Sequence, residues 1–113
     1  MVVSATQSRV QVWRPEASVS VLDSGFMLGD GVWEGLRLHE GVLLFVEEHL
    51  ARLYEGAKAL DMHIDLDPQR LQQLVYSVCD ANGMADASGE SVCPEGTMHV
   101  YLSANLISSR WGE

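Results

Sequence analysis

Asp23-Ser24-Gly25-Phe26-Met27-Leu28-Gly29-Asp30-Gly31-Val32-Trp33-Glu34-Gly35-Leu36-Arg37-Leu38-His39-Glu40-Gly41-Val42-Leu43-Leu44-Phe45, with the charged, leucine-bearing run that follows it to Lys58, decides how this chain folds. It reads as a Gly-rich turn, a strand, a tight turn, a second strand and a helix. Successive side chains on a strand point to opposite faces. Val32, Leu36 and Leu38 therefore form one apolar row, broken by Glu34, and Trp33, Gly35, Arg37 and His39 form the other. A one-residue slip would exchange the two rows. The first row suits a core, in which the Glu34 carboxylate needs a hydrogen-bond partner. The second offers an aromatic ring, a gap at Gly35, a guanidinium and an imidazole. That suits a pocket wall, although one apolar and one mixed face is also the ordinary pattern of a half-buried antiparallel sheet.

Toward the N-terminus, residues 1–9 read as a flexible end and Val10 to Trp13 as a short strand. Arg14-Pro15-Glu16 is a break, because proline restricts its own φ and the residue before it. Ala17 to Leu22 alternates small and apolar residues and predicts another strand. Asp23 to Gly31 has the glycines and aspartates of a turn or short irregular helix. It lacks the lysine and the spacing of a nucleotide-phosphate loop.

Toward the C-terminus, Glu40-Gly41 predicts a hairpin turn and Val42 to Phe45 a strand. Glu47 to Leu60 predicts a helix with Leu50, Leu53, Tyr54, Ala57 and Leu60 on one stripe, acids in its first turn and Lys58 in its last. Arg52 lies off that stripe, with Glu48 four residues before it and Glu55 three after, as in a surface ion-pair ladder. Asp61 to Asp65 is a link anchored by Met62 and Ile64. Asp67-Pro68 has the form of a helix start, Leu71, Leu74, Val75, Val78 and Cys79 continue as an apolar stripe, and Asn82-Gly83 stops it. Ala85 to Gly96 reads as a flexible acidic loop and Thr97 to Leu102 as a last strand. The fold class expected is α+β: a mostly antiparallel sheet of roughly five strands with two helices packed on one face.

One hundred and thirteen residues, 47% of them apolar, support one modest domain. A net charge of −9 argues against nucleic acid and against an anionic membrane surface. No apolar run is long enough for a membrane span and the N-terminus lacks a signal peptide's pattern. The expectation is a soluble, cytoplasmic protein, with an organelle as the alternative. Cys79 and Cys93 could pair, but two reduced thiols are the expectation for a cytosolic chain, with Cys79 on the core side of its helix. Histidines 39, 49, 63 and 99 are scattered without ligand spacing, so no metal is expected.

The runs Asp23-Ser24-Gly25-Phe26, Gly29-Asp30-Gly31-Val32-Trp33-Glu34-Gly35-Leu36-Arg37, Glu48-His49-Leu50-Ala51-Arg52-Leu53-Tyr54 and Ala57-Lys58-Ala59-Leu60 resemble, in order and spacing, the class IV (fold type IV) pyridoxal-phosphate aminotransferases. That family includes branched-chain and D-amino-acid aminotransferases and aminodeoxychorismate lyase. The resemblance runs from about Val10 to Val100 and covers the family's smaller, N-terminal domain. It implies transfer of an amino group between an amino acid, branched-chain-like by the Trp-Glu-Gly-Leu-Arg run, and a 2-oxo acid. It also implies pyridoxal 5′-phosphate as cofactor, with Arg52 holding the phosphate, and Trp33, Gly35 and Arg37 lining the substrate pocket. The family is homodimeric.

The family's Schiff-base lysine belongs to a later domain. Lys58, the one lysine here, stands where the family has a non-catalytic one, so no catalytic residue is expected in this chain. Relatives usually carry an arginine, often in a Thr-Arg-Gly run, where this chain reads Met98 to Asn105. The organisation expected is a flexible end at 1–9, a truncated aminotransferase N-terminal domain at 10–103, and a divergent tail at 104–113. That tail is expected to come from an alternative exon, a retained intron or a frame change. The reading of another class is a non-catalytic domain that pairs with itself or with a full-length relative. A dedicated small-molecule binder, resting on Arg52 alone, is a third.

Overall fold

Gly31–His39 forms a nine-residue strand, the middle one of a three-stranded sheet. In this computed structural model the described residues are 2–5, 10–84 and 95–103. The order is β1 (Val2–Ala5), β2 (Val10–Trp13), a 3-10 turn (Arg14–Glu16), α1 (Ser24–Leu28), β3 (Gly31–His39), β4 (Val42–Leu43), α2 (Val46–Ala59), α3 (Pro68–Ala81) and β5 (Glu95–Ser103). The strands divide into a pair, β1-β2, and a three-stranded antiparallel sheet in the order β4-β3-β5. The α+β class and the two long helices, α2 and α3, are as the sequence implies, but among the described residues the five strands form two sheets.

The strand alternation holds throughout β3. Leu36 and Leu38 are fully buried and Glu34 nearly so, while Trp33 and Arg37 are exposed. Leu36 and Leu38 pack with Leu43, Val75 and Cys79; a second cluster joins Leu50, Leu53, Leu71 and Leu102. Both helices therefore supply side chains to the core over the even-numbered face of β3. Burying each such leucine is worth about 1.5–3 kcal/mol. Gly56 lets α2 come close to the sheet, for a Cβ there would lie 3.3 Å from Val32 Cγ1.

Local chemistry sets the boundaries. Glu40 (φ 48°) and Gly41 (φ 77°) both take the positive φ of the tight hairpin turn. β4 is only two residues, shorter than the expected Val42 to Phe45, because Phe45 (φ 52°) turns left-handed and becomes the N-cap of α2. Helix α2 ends with Asp61 at φ 55°, and the Met62 amide donates back to the Ala57 carbonyl. This is the reverse turn in which the residue beyond the helix packs inward, and Met62 is accordingly buried. The same device ends α3 at Gly83, where the Met84 amide donates to the Cys79 carbonyl. Asp67 caps α3, its carboxylate accepting from the Arg70 amide at 2.8 Å. The Tyr54 hydroxyl donates to the Leu66 carbonyl, and the Leu43 amide donates to the Tyr76 hydroxyl at 3.0 Å, tying the link and β4 to the helices.

Four further expectations change. Ala17 to Leu22 is not a strand: among the described residues no strand ladder includes it, and Ser20 draws it into a local turn, accepting from Leu22 through its hydroxyl and from Asp23 through its carbonyl. Val2–Ala5, inside the expected loose end, pairs antiparallel with β2. Glu95 and Gly96, read as loop, belong to β5, because all nine residues of β3 find a partner on it from Gly31↔Ser103 to His39↔Glu95. Leu60 lies past the end of α2 and is half exposed. The loop expected before residue 95, Cys93 and the tail from 104 lie outside the described residues.

Candidate functional site

The even-numbered face of β3 carries one carboxylate among its leucines, and its partners come from α2. Arg52 donates through Nε to Glu34 Oε1 and through Nη2 to Glu34 Oε2, both at 2.6 Å, a two-pronged pair. His49, one helical turn before Arg52, places Nδ1 2.7 Å from Glu34 Oε2. The same nitrogen lies 3.3 Å from Arg52 Nη2. The shorter contact assigns the tautomer. A bare Nδ1 would set its lone pair against a carboxylate oxygen, so Nδ1 carries the proton and donates to Glu34.

Burial grades across the trio: 6% of the Glu34 side chain is exposed, 24% of His49 and 68% of Arg52. The Arg52 hydrogen bonds hold the Glu34 carboxyl down at about 2; burial opposes this, and His49 adds to it. Glu34 in turn raises Arg52 above the usual guanidinium value. Glu34 thus has the partner its place in the core row demanded. Arg52 pairs with Glu34 rather than with Glu48 or Glu55, so the surface ladder is not what forms.

Arg52 is off the apolar stripe yet directed to the sheet, because residues three apart on a helix lie on one side and His49 and Arg52 both reach Glu34. The pair with Glu34 engages Nε and Nη2. Among the described residues no hydrogen bond occupies Nη1, so an anion could be met at that edge without breaking the pair. That is a donor set a phosphate fits, since phosphate takes planar arginine donors well.

Trp33, Gly35 and Arg37 do share one face, as the alternation requires, with Trp33 66% exposed. It is the face opposite the leucine row, so the structure does not place them beside Arg52. The two faces do meet along one edge. β4 pairs only with Leu38 and His39, so from Gly31 to Leu36 the strand has β5 on one side and no strand on the other among the described residues. Lys58 lies exposed in the last turn of α2. No group of three or more His, Cys, Asp or Glu side chains among the described residues could hold a metal ion. No described helix is long and apolar enough to cross a membrane.

Sequence reasoning gave His49 no role, although it stands in the run that resembles the family. The available signal was its position three residues before Arg52, beside a strand whose buried carboxylate lacked a partner.

With that geometry in place, comparison with known proteins gives the family. Residues 31–107 match the amino-transferase class IV family, and the chain belongs to it. A Methanocaldococcus jannaschii protein, provisionally named a branched-chain-amino-acid aminotransferase, is 40% identical over 87 residues, 77% of this chain and 30% of that protein. D-alanine aminotransferase of Bacillus licheniformis is 33% identical over 73 residues, 65% of this chain and 26% of that enzyme. Among solved structures, a branched-chain amino acid aminotransferase from T.th., bound to pyridoxamine 5′-phosphate, superposes with a TM-score of 0.61. It is 26% identical, and the match covers 82% of this chain and 37% of that one. The chain therefore spans well under half the length of these relatives. The antiparallel sheet and two helices agree with the α+β N-terminal domain of fold type IV aminotransferases. The family match ends at residue 107, inside the stretch expected to diverge.

Proposed function

We propose that this chain supplies the cofactor-phosphate anchor and one substrate wall of a pyridoxal-phosphate-dependent aminotransferase. The reaction is transfer of an amino group between a branched-chain-like amino acid and a 2-oxo acid. The observation that carries this reading is Arg52 on α2, fixed to Glu34 by two hydrogen bonds with its Nη1 edge left over, in a chain of this family. When bound, pyridoxal phosphate supplies the electron sink that makes bonds at the amino acid's α-carbon breakable. Arg52 holds the phosphate by charge-assisted hydrogen bonds. Trp33 gives an apolar surface, Gly35 leaves room beside it, and Arg37 offers a cation to the substrate carboxylate. The lysine that carries covalent chemistry in this family is not among the roles assigned to these residues.

The test is titration with pyridoxal phosphate, followed by borohydride reduction and mass measurement. Phosphate-dependent binding lost in Arg52→Ala, without a stoichiometric adduct at Lys58, is the expected result. An adduct mapped to Lys58 would mean that this chain forms the covalent link itself, and the division of roles would be wrong.

A second reading has its own observation. Val21, Leu22, Phe26 and Leu28 are 70–75% exposed, an apolar belt unusual for a free surface. It favours a domain that pairs with itself or with a full-length relative. Sedimentation of the chain alone and mixed with such a relative tests this; a non-interacting monomer in both would dismiss it.

A further inference from the structure

We propose that Glu34 and His49 are positioning residues for Arg52: they grip the guanidinium along its Nε–Nη2 edge and make Nη1 the edge that meets a phosphate monoester. This rests on the phosphate role of Arg52 proposed above. The grip is a chain of constraints that starts in the core. Glu34 is fixed by the strand and has almost no solvent to turn into. Its Oε2 accepts from both Arg52 and His49, and its Oε1 accepts from Arg52 Nε. A carboxylate held at both oxygens cannot rotate, and two parallel bonds to it fix the plane of the guanidinium. Arg52 is otherwise a long, largely exposed side chain, which would sample many rotamers and lose them on binding. Pre-ordering removes that loss from the binding step.

The competing idea is that Glu34 is a rival anion that phosphate must displace. The atoms used argue against it. The Nη1 edge has no partner among the described residues, so phosphate can be bound with the Glu34 pair intact. The other charged groups near Arg52 on its own helix are Glu48 and Glu55, both exposed and neither bonded to it among the described residues.

The experiment compares pyridoxamine 5′-phosphate with pyridoxamine, which lack the reactive aldehyde, by NMR titration of the full chain. The Arg52 Nε–H signal is the spectroscopic readout. In the free protein its heteronuclear NOE should match that of the α2 backbone. Glu34→Gln should weaken the phosphate-bearing ligand roughly three- to tenfold, the range set by freeing one rotamer-rich side chain, and leave pyridoxamine unchanged. In an Arg52→Lys background the same Glu34→Gln change should cause no loss, because an ammonium has no plane to fix. A general structural defect would weaken both backgrounds alike.

Equal or tighter phosphate binding in Glu34→Gln, with Arg52→Ala still abolishing it, overturns the positioning role and leaves the phosphate site standing. No effect of Arg52→Ala overturns the phosphate site and the inference together. If Glu34→Gln fails to fold, the wild-type NOE and His49→Leu decide. A mobile Arg52 Nε–H, or unchanged phosphate affinity in His49→Leu, refutes the proposal.

Discussion

Replacing Glu34 by glutamine keeps the side chain's size and removes its charge, so the effect of that charge can be read from how stability changes with pH. In the folded protein the Glu34 carboxyl lies at about 2, lowered from an ordinary 4.5 chiefly by the two Arg52 hydrogen bonds. A carboxyl lowered on folding contributes stability above its unfolded pKa, and that contribution disappears as pH falls through the folded value. At about 1.4 kcal/mol per pH unit the lowering corresponds to roughly 3 kcal/mol as a ceiling. Arg52 stands largely in water, which screens the pair, and on the order of 1 kcal/mol is the expected net effect. Urea unfolding followed by tryptophan fluorescence, from pH 7 to pH 2, measures it. Wild type should exceed Glu34→Gln by about that amount at pH 7, lose the advantage between pH 4.5 and 2, and show less of it in high salt. Taking the difference cancels the other acids to first order. A wild-type advantage that stays constant through that window would refute the electrostatic account and leave packing as the cause.

Three further outcomes follow from the packing and the caps. Leu36→Ala, at a fully buried site between sheet and α3, should cost about 2–5 kcal/mol by urea unfolding. Asp67→Ala removes the acceptor for the Arg70 amide and should cost about 1 kcal/mol, visible in the same assay. Phe45→Gly should leave stability unchanged or raise it by up to about 1 kcal/mol, because Phe45 is exposed and takes a left-handed φ that a bulky residue disfavours; a loss above 1 kcal/mol would mean that the ring packs usefully.

Much of this was legible because it depends on short-range rules. The two rows of β3, the Glu40-Gly41 turn, the Asp67-Pro68 start of α3 and its Gly83 stop follow from alternation, positive φ and capping, each contained within a few residues. The burial of Glu34 was readable from its row. Its partners were not, because Glu34 and Arg52 are eighteen residues apart and meet only once α2 has been laid across the strand. Ala17 to Leu22 shows the reverse failure: it has a strand's alternation, but a strand needs a neighbour, which sequence pattern does not report. Phe45 ended β4 early for a similar reason, since the start of α2 imposed a conformation that the residue itself disfavours.

The parity of β3 has a consequence for how such a domain can vary. Even-numbered positions are committed to the leucine core and to the carboxylate that anchors Arg52, whereas odd-numbered positions face away from both. One strand thus keeps two independent ledgers. Changes at 33, 35 or 37 alter the outer face without disturbing the Glu34–Arg52 pair on the other side. A single inserted or deleted residue would corrupt both sides at once. The outer face, the substrate wall proposed above, can vary by substitution but not by changes of length.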